Sequence, residues 1–452
     1  MNPFARLRVR PIRAFSLVVA SLLVVPGVGV RAQGAAQAWG YNRDGELGNG
    51  TTAQSSVPTA VSGLGGGVTA VAAGDSHSLG IQNGTLYAWG SNRYGQLGNG
   101  TTADSLVPVA VPGMTGGVTA AAGGRFHSLA VRNGALYAWG SGNPTPVAVS
   151  GLDSGVTLIS AGNTHDLAVC DGALYAWGSN GYGQLGNGTT TSSATPTAVI
   201  GLDRGVTAVA AGVYHSLAIQ NGALYAWGYN GAGQVGNGNT ANQSAPVPLG
   251  LPGTATNVGA GGSHSLAVVN GGVYAWGQNG NGQLGNGTTT NSTTPVRVDP
   301  ANLQDIRAVA GGDASSYALA GDGSLWVWGF NNFGELGLGT NTSQYNTPQH
   351  LLPPAGYVYT GIDGDAYGVH VLAVLSPMPA RVLGVGRSTD GHFVLQAAGA
   401  PGVTYTVRAA PDLVAGNFVA VGTVTADAVG TLRYDDAGAA GQEQRFYRVT
   451  YP

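Results

Sequence analysis

Between residues 36 and 375, apolar and polar positions fall into short runs that return in one order. Each full unit has a polar Gly-rich loop (NxxGQLGNGTT), a Pro-containing segment (VPTAV), an Ala/Val run (VTAVAAG), a second run (HSLAV), an Asn-Gly turn and the phrase LYAWG. Val, Tyr, Trp and Thr favour a pleated surface, and Asn83-Gly84, Asn133-Gly134 and Asn221-Gly222 suit a tight hairpin between HSLAV and LYAWG. Each unit therefore predicts four short strands, the signature of a propeller blade or a solenoid coil.

Trp-Gly pairs mark the period at Trp39, Trp89, Trp139, Trp177, Trp227, Trp276 and Trp328, with intervals of 50, 50, 38, 50, 49 and 52 residues. The array opens at Ala36 with AQAWG, a unit's last strand, and finishes near Leu375 with GVHVLAV, a unit lacking its LYAWG strand. Each end supplies what the other lacks, which a closed ring uses and a linear solenoid does not. The expected fold class is all-β: a seven-bladed β-propeller closed by N- and C-terminal strands. The Ala/Gly-rich VTAVAAG strand belongs near the axis, where large side chains cannot pack. Seven buried indoles, each covering ~150 to 250 Å², are expected to dominate the contacts between blades.

One unit breaks the rule. After Trp139 the chain runs SGNPTPVAV, and about 12 residues are missing where GQLGNGTT stands elsewhere, as the interval of 38 records. From Ser376 the phrase disappears in favour of alternating segments such as GHFVLQA, VTYTVRAA and QRFYRVTY, which predict a small β-sandwich of immunoglobulin or fibronectin type. The expected domains are a propeller over 33–375 and the sandwich over 376–452.

Residues 1–32 read as a secretory signal: Arg6, Arg8, Arg10 and Arg13, an apolar run from Ala14 to Val30, and a Val-Arg-Ala site ending at Ala32. The expected location is extracellular, periplasmic or cell-surface, with no membrane span in the mature protein. Five of the 18 basic residues and none of the 21 acids lie in that segment, so the mature chain carries 13 Arg against 21 acids, a net charge of −8. That balance argues against nucleic acid as a partner. Glycine, at 78 residues, follows the repeat period and so marks turns rather than disorder. Cys170 is the only cysteine, which excludes an intrachain disulfide, and its place in LAVC reads as a small packed hydrophobe.

The units AGDSHSLGIQNGTLYAWGSNRYGQLGNGTT (73–102) and AGVYHSLAIQNGALYAWGYNGAGQVGNGNT (211–240) closely resemble the regulator of chromosome condensation repeat family, and the resemblance extends over residues 36–374. It implies a seven-bladed propeller closed by strands from both termini. The namesake members are nuclear exchange factors for a Ran-type small GTPase and bind chromatin; others are secreted, including bacterial inhibitors that clamp a β-lactamase with loop aromatics. Phe126 and Tyr214 hold positions that resemble the contact-loop phase of those inhibitors. The long wedge-like excursion of the exchange factors has no counterpart in this chain, and an exported protein would not meet their partners.

Catalytic chemistry is not legible. GYGQLG, GAGQVG and GNGQLG satisfy a dinucleotide-binding pattern, but Thr- and Ser-rich coil follows them where that pattern needs a helix. His77, His127, His165, His215, His264 and His370 share one phase of the repeat, which spaces them around a ring rather than around a metal ion. No Ser-His-Asp set and no paired carboxylates recur.

Sister units disagree in two loops, where residues are released from architectural duty. Between AG and HSL stand Asp75-Ser76, Arg125-Phe126, Asn163-Thr164, Val213-Tyr214 and Gly262-Ser263; around the WGxNxx turn stand Tyr41, Arg43, Arg93, Tyr94, Tyr182, Tyr229, Phe330 and Phe333. Ring symmetry carries equivalent loops to one end, and Tyr, Phe and Arg are frequent interface anchors. The expectation is a non-enzymatic, cofactor-free, monomeric scaffold whose rim (Tyr41, Arg43, Arg93, Tyr94, Arg125, Phe126, Tyr182, Tyr214, Tyr229, Phe330, Phe333) meets a protein partner or a surface glycan. The alternatives are a structural or adhesion component of the envelope tethered by the C-terminal module, and guanine-nucleotide exchange.

Overall fold

The computed structural model describes residues 34–299, 301–364, 366–378, 380–387, 392–410, 418–439 and 446–450. The predicted signal segment, residues 1–32, lies outside them. The described chain is all-β apart from one short 3-10 turn at Ala437–Ala439.

Seven four-stranded antiparallel sheets form the repeat region. A representative sheet lays Val68–Ala73, His77–Gln82, Thr85–Gly90 and Ser105–Ala110 side by side in chain order. The structural unit is thus out of phase with the sequence unit, because the Pro-containing strand completes the sheet of the preceding LYAWG rather than opening the next. Proline has no N–H to donate, so an outer edge is where it is tolerated.

The first strands of the seven sheets, from Val68–Ala73 round to Tyr357–Gly364, contact one another in a closed circle. This is the axial position expected of the Ala/Gly-rich strand. Close approach explains its composition: a Cβ on Gly311 would run into the backbone of Ala260 and Gly261.

Closure joins the two ends of the array in one sheet, in the order Ser55–Ala60, Ala35–Gly40, His370–Pro377, Tyr357–Gly364. Trp39 pairs with Val371 and Gly40 with His370. Each end contributes two strands; the sequence reading counted only AQAWG from the N-terminal end, because it assigned the following Pro-containing strand to the next unit.

The core lies between sheets rather than within them. One cluster combines Leu167, Val169, Leu174 and Leu185 with Val206, Val209 and Trp227 of the next sheet. Each third strand slips register against the outer strand at its Trp, as between Ala88 and Gly90, a bulge that re-aims the indole. Trp39, Trp89, Trp227, Trp276 and Trp328 have no solvent exposure at all.

The recurring loop phrase is a self-bracing turn. Asn92 Oδ1 accepts from the N–H of Leu97 at 2.9 Å while its Nδ2 donates to the carbonyls of Thr101 and Ala103 at 3.0 Å each. Asn42, Asn180, Asn230 and Asn279 repeat the arrangement. Gly98, at φ +67°, lies where a Cβ would overlap the Trp139 indole of the next blade, so glycine lets the loop cap its neighbour's Trp. In the hairpins, Asn83 and Gly84 take φ values of 50° and 75°, the doubly left-handed pair of a type I′ turn.

Beyond the ring, two three-stranded sheets pair Arg381–Arg387, Phe393–Ala398 and Thr431–Asp436, and Val419–Thr425, Thr404–Ala410 and Phe446–Thr450. Ala397, Tyr405, Ala426 and Leu432 form their buried centre. Tyr405 Oη donates to the carbonyl of Met378 at 3.0 Å, and the Met378 N–H donates to Gly356 at 2.8 Å, tying these sheets to the end of the repeat array.

Candidate functional site: the loop rim and a vacated blade boundary

Both variable loops open at the same end of the ring, because the first and third strands of an antiparallel meander run in the same direction. They are stitched together by backbone bonds, from Ser91 N–H to Ser76, Ser141 to Phe126 and Tyr229 to Tyr214, at 2.7 to 2.8 Å.

The rim residues gather in three groups across blade boundaries. Tyr41 meets Phe333 edge-on at 5.1 Å, and Phe333 meets Phe330 at 6.2 Å. Tyr94 lies against Phe126 at 4.4 Å. Tyr182 contacts Tyr214 at 5.1 Å and Tyr229 at 4.9 Å. Aromatic pairs at such distances hold one another in place and leave their outer faces accessible; Tyr94 is 46% and Tyr182 40% exposed.

Arg125 lies over the rings of Phe126 and Tyr367, 4.7 and 4.5 Å from their centroids, and approaches Asp75 at 3.8 Å. Arg93 reaches Asp44 at 3.3 Å across a boundary, and Arg43 is exposed. Val213 departs from the expectation for its loop: it is buried, so only Tyr214 of that pair faces outward.

Of the acidic groups at this end, the sequence names Asp75 only as a variable loop position and does not single out Asp313. Burial pushes the Asp75 carboxyl up to about 6 against the opposing pull of Arg125, and burial also raises Asp313. Nothing in their local sequence pairs them, since the ring alone brings loops 238 residues apart into electrostatic reach.

The six histidines of the repeat are staples between blades. His77 Nε2 meets Ser128 Oγ at 2.8 Å, His165 meets Ser216 at 2.9 Å, His215 meets Ser265 at 3.0 Å, His264 meets Ser316 at 2.9 Å, and His370 meets Ser78 at 2.9 Å. Burial drives their pKa values down, to about 3 for His77 and His215 and about 4 for His165, His264 and His370, so these imidazoles are neutral. Among the described residues no group of three or more His, Cys, Asp or Glu is arranged to hold a metal ion.

The sixth staple differs. His127 Nε2 bonds Asp166 Oδ1 at 2.7 Å, because the chain reads HDL at 165 where the units at 77, 127, 215 and 264 read HSL. That substitution falls at the boundary where the GQLGNGTT loop is missing. An open cavity of about 350 Å³ occupies the place, lined by residues that include Phe126, His127, Trp139, Asn163 and Asp166. The missing loop shows directly in the repeat spacing, whereas Asp166 is not among the sequence candidates; the signal that could have found it is HDL in place of HSL, and only the blade phase brings the two departures together.

GYGQLG and its relatives join two strands with no helix following, as expected of turns. Cys170 is half-buried at a strand end rather than fully packed; its thiol donates to the Ser154 carbonyl at 3.2 Å, and burial raises its pKa. Among the described residues no helix is long and apolar enough to cross a membrane.

A ring of four-stranded sheets, closed by both ends of its own array and carrying its variable residues on loops at one end, defines a β-propeller of repeat type. The chain belongs to the RCC1-like domain family, whose profile matches residues 142–428; the regulator of chromosome condensation (RCC1) repeat matches residues 33–81, 83–131 and, in a second form, 68–96. Among solved structures it is similar to Prp20p from Saccharomyces cerevisiae, described with its binding properties to Gsp1p and histones, at 22% identity and TM-score 0.69 over 77% of this chain and 93% of that one. Yeast RCC1 (Prp20) bound to Kap60 matches at 21% identity and TM-score 0.68 over 83% and 97% of the two chains. Human WBSCR16 matches at 22% and 0.68 over 77% and 100%. At these identities the likeness concerns the fold. The comparison with curated proteins finds no match.

Proposed function

We propose that this chain is an exported, non-enzymatic scaffold that binds a protein partner through the loop rim of its propeller. The observation that carries the reading is the set of three aromatic groups, each built from loops of neighbouring blades at one end of the ring and each left partly exposed. Rigid aromatic side chains that are already ordered lose little entropy on binding, and Arg43, Arg93 and Arg125 beside them supply charge-assisted hydrogen bonds. The fold relatives described as binding Gsp1p, histones and Kap60 support protein as the partner class. Residues 376–452 are read as a sandwich module carried by the ring.

The test is capture from culture medium or periplasm with Phe126→Ala/Tyr214→Ala/Tyr94→Ala beside the wild type. The expected result is loss of specific partners at unchanged circular dichroism and melting temperature; an unchanged set of captured proteins refutes the rim assignment. Mass spectrometry of the exported protein is expected to find Gln33 at its N-terminus, and an intact Met1 terminus on a cytoplasmic protein refutes export.

A further inference from the structure

The boundary between the blade of Trp139 and the blade of Trp177 lacks what fills the other six. At each of those six a loop carbonyl, that of Glu46, Gln96, Gln184, Gln234, Gln283 or Glu335, accepts the indole N–H of the next Trp at 2.7 to 2.8 Å. At five of them a Ser hydroxyl of the same blade donates to that same carbonyl, as Ser128 does to Gln96 at 2.8 Å. The loop is thus a plug, held at its centre by two donors from the next blade.

Where the plug is missing, Trp177 is the most exposed of the seven repeat indoles, at 7%, and among the described residues its N–H has no counterpart of the carbonyl that the other six indoles meet. The Ser position is Asp166, directly across the strand pair from Trp177. A carboxylate only accepts; one oxygen takes His127, and the other has no partner among the described residues. Asn163, 4% exposed, lines the same cavity with its Oδ1 unpartnered. One unused donor and two unused acceptors therefore meet at this seam: the acceptors, on Asp166 and Asn163, line an open cavity of about 350 Å³, and the donor, on Trp177, belongs to the residue paired with Asp166 across the strands.

We propose that this notch is a socket for an Asn or Gln carboxamide carried on a loop of the protein partner. The carboxamide oxygen takes the place of the missing plug carbonyl on Trp177, and its NH₂ donates to Asp166. A cationic side chain would pair with Asp166 but leave the indole N–H unsatisfied, and a carboxylate would face Asp166 across a short gap. The Ser-to-Asp change fits this occupant, because it converts a second donor into the acceptor that a carboxamide needs. The proposal rests on the rim reading and names the chemistry of one of its contacts.

The probes are acetyl-Gly-Gln-Leu-Gly-amide and its Glu counterpart, titrated at neutral pH into the nitrogen-15-labelled chain while the Trp177 indole cross-peak, assigned with Trp177→Phe, is followed. The expected result is a saturable shift with the Gln peptide, bound on the order of tenfold more tightly than the Glu peptide. In Asp166→Ser that preference is expected to fall to about twofold or less, since the charge that discriminates is gone. Replacing Ser141-Gly142 by residues 179–192 restores the plug and is expected to abolish the shift; Asp166→Ser keeps the proposal testable if the graft does not fold. A Trp177 resonance that neither peptide moves, or equal affinities in the wild type, overturns the socket. If Tyr182→Ala/Tyr229→Ala still abolishes partner capture in that case, the socket alone fails; if capture also persists, the rim reading fails with it.

Discussion

The boundary capped by Gln96 and the boundary beside Trp177 use the same framework to opposite ends. In the first, loop, Trp139 and Ser128 close on one another: the Gln96 carbonyl receives both donors, and Leu97 is buried outright. In the second the strands persist and the sheet keeps four members, yet the cap is gone and a cavity remains. Strand pairing builds the blades, whereas the loop phrase seals the seams between them. A seam can therefore be opened without losing the ring.

Truncating the indoles gives the largest contrast. Trp227→Ala, at a sealed boundary, is expected to cost about 3 to 5 kcal/mol in urea denaturation, the range for emptying a packed aromatic site. Trp177→Ala should cost about half that, because its seam is already open to water. Equal losses would show that the cap contributes little.

Next come Glu46 and Glu335, which stand where the sister loops carry Gln, at the two seams that flank the closing blade. Burial raises both to about 7 from an ordinary 4.5, and each Oε1 is buried without a partner. A carboxyl raised in the folded state favours folding below pH 4.5 and loses that advantage as pH climbs through 7. Glu46→Gln and Glu335→Gln are accordingly expected to stabilise by about 1 to 3 kcal/mol each at pH 8 and by almost nothing at pH 4, read as shifts in the urea midpoint. A gain that does not depend on pH would count against buried ionisation as the cause.

The histidine staples titrate with the opposite sign. His215 is lowered to about 3 from 6.5, so the folded state resists protonation, and stability falls as pH drops from 6.5 toward 3. His215→Gln should remove one proton from that slope, about 1.4 kcal/mol per pH unit in the window. Slopes that coincide for the two proteins between pH 4 and 6 would remove the staple from the acid response.

The smallest effect is expected at Arg93, whose side chain is 67% exposed beside Asp44. Arg93→Ala should change stability by less than about 0.5 kcal/mol and act only on partner capture, as screened surface pairs do.

Much of the fold could be read directly. The Asn-Gly hairpins, the alternation of HSLAV and LYAWG and the complementary ends of the array lead to closed four-stranded sheets, because those features act over a few residues or recur in phase. Less of the site could be read. Its aromatic positions were visible as departures from the repeat, but the grouping of Tyr182 with Tyr214 and Tyr229 depends on the angle between adjacent blades. The identity of each blade was also hidden, since nothing in the order of the runs tells which sheet the VPTAV segment joins.

By itself, the sequence determined the period, the strands, the turns, the ring-closing ends and the one missing loop, all of which follow from local propensity and from repetition. Tertiary structure alone decided that each loop caps the Trp of the next blade, that HDL stands at the uncapped seam, and that Asp75 and Asp313 feel one another. The physical reason is that these relations join residues tens to hundreds of positions apart, and only the circular packing of blades sets the distances between them.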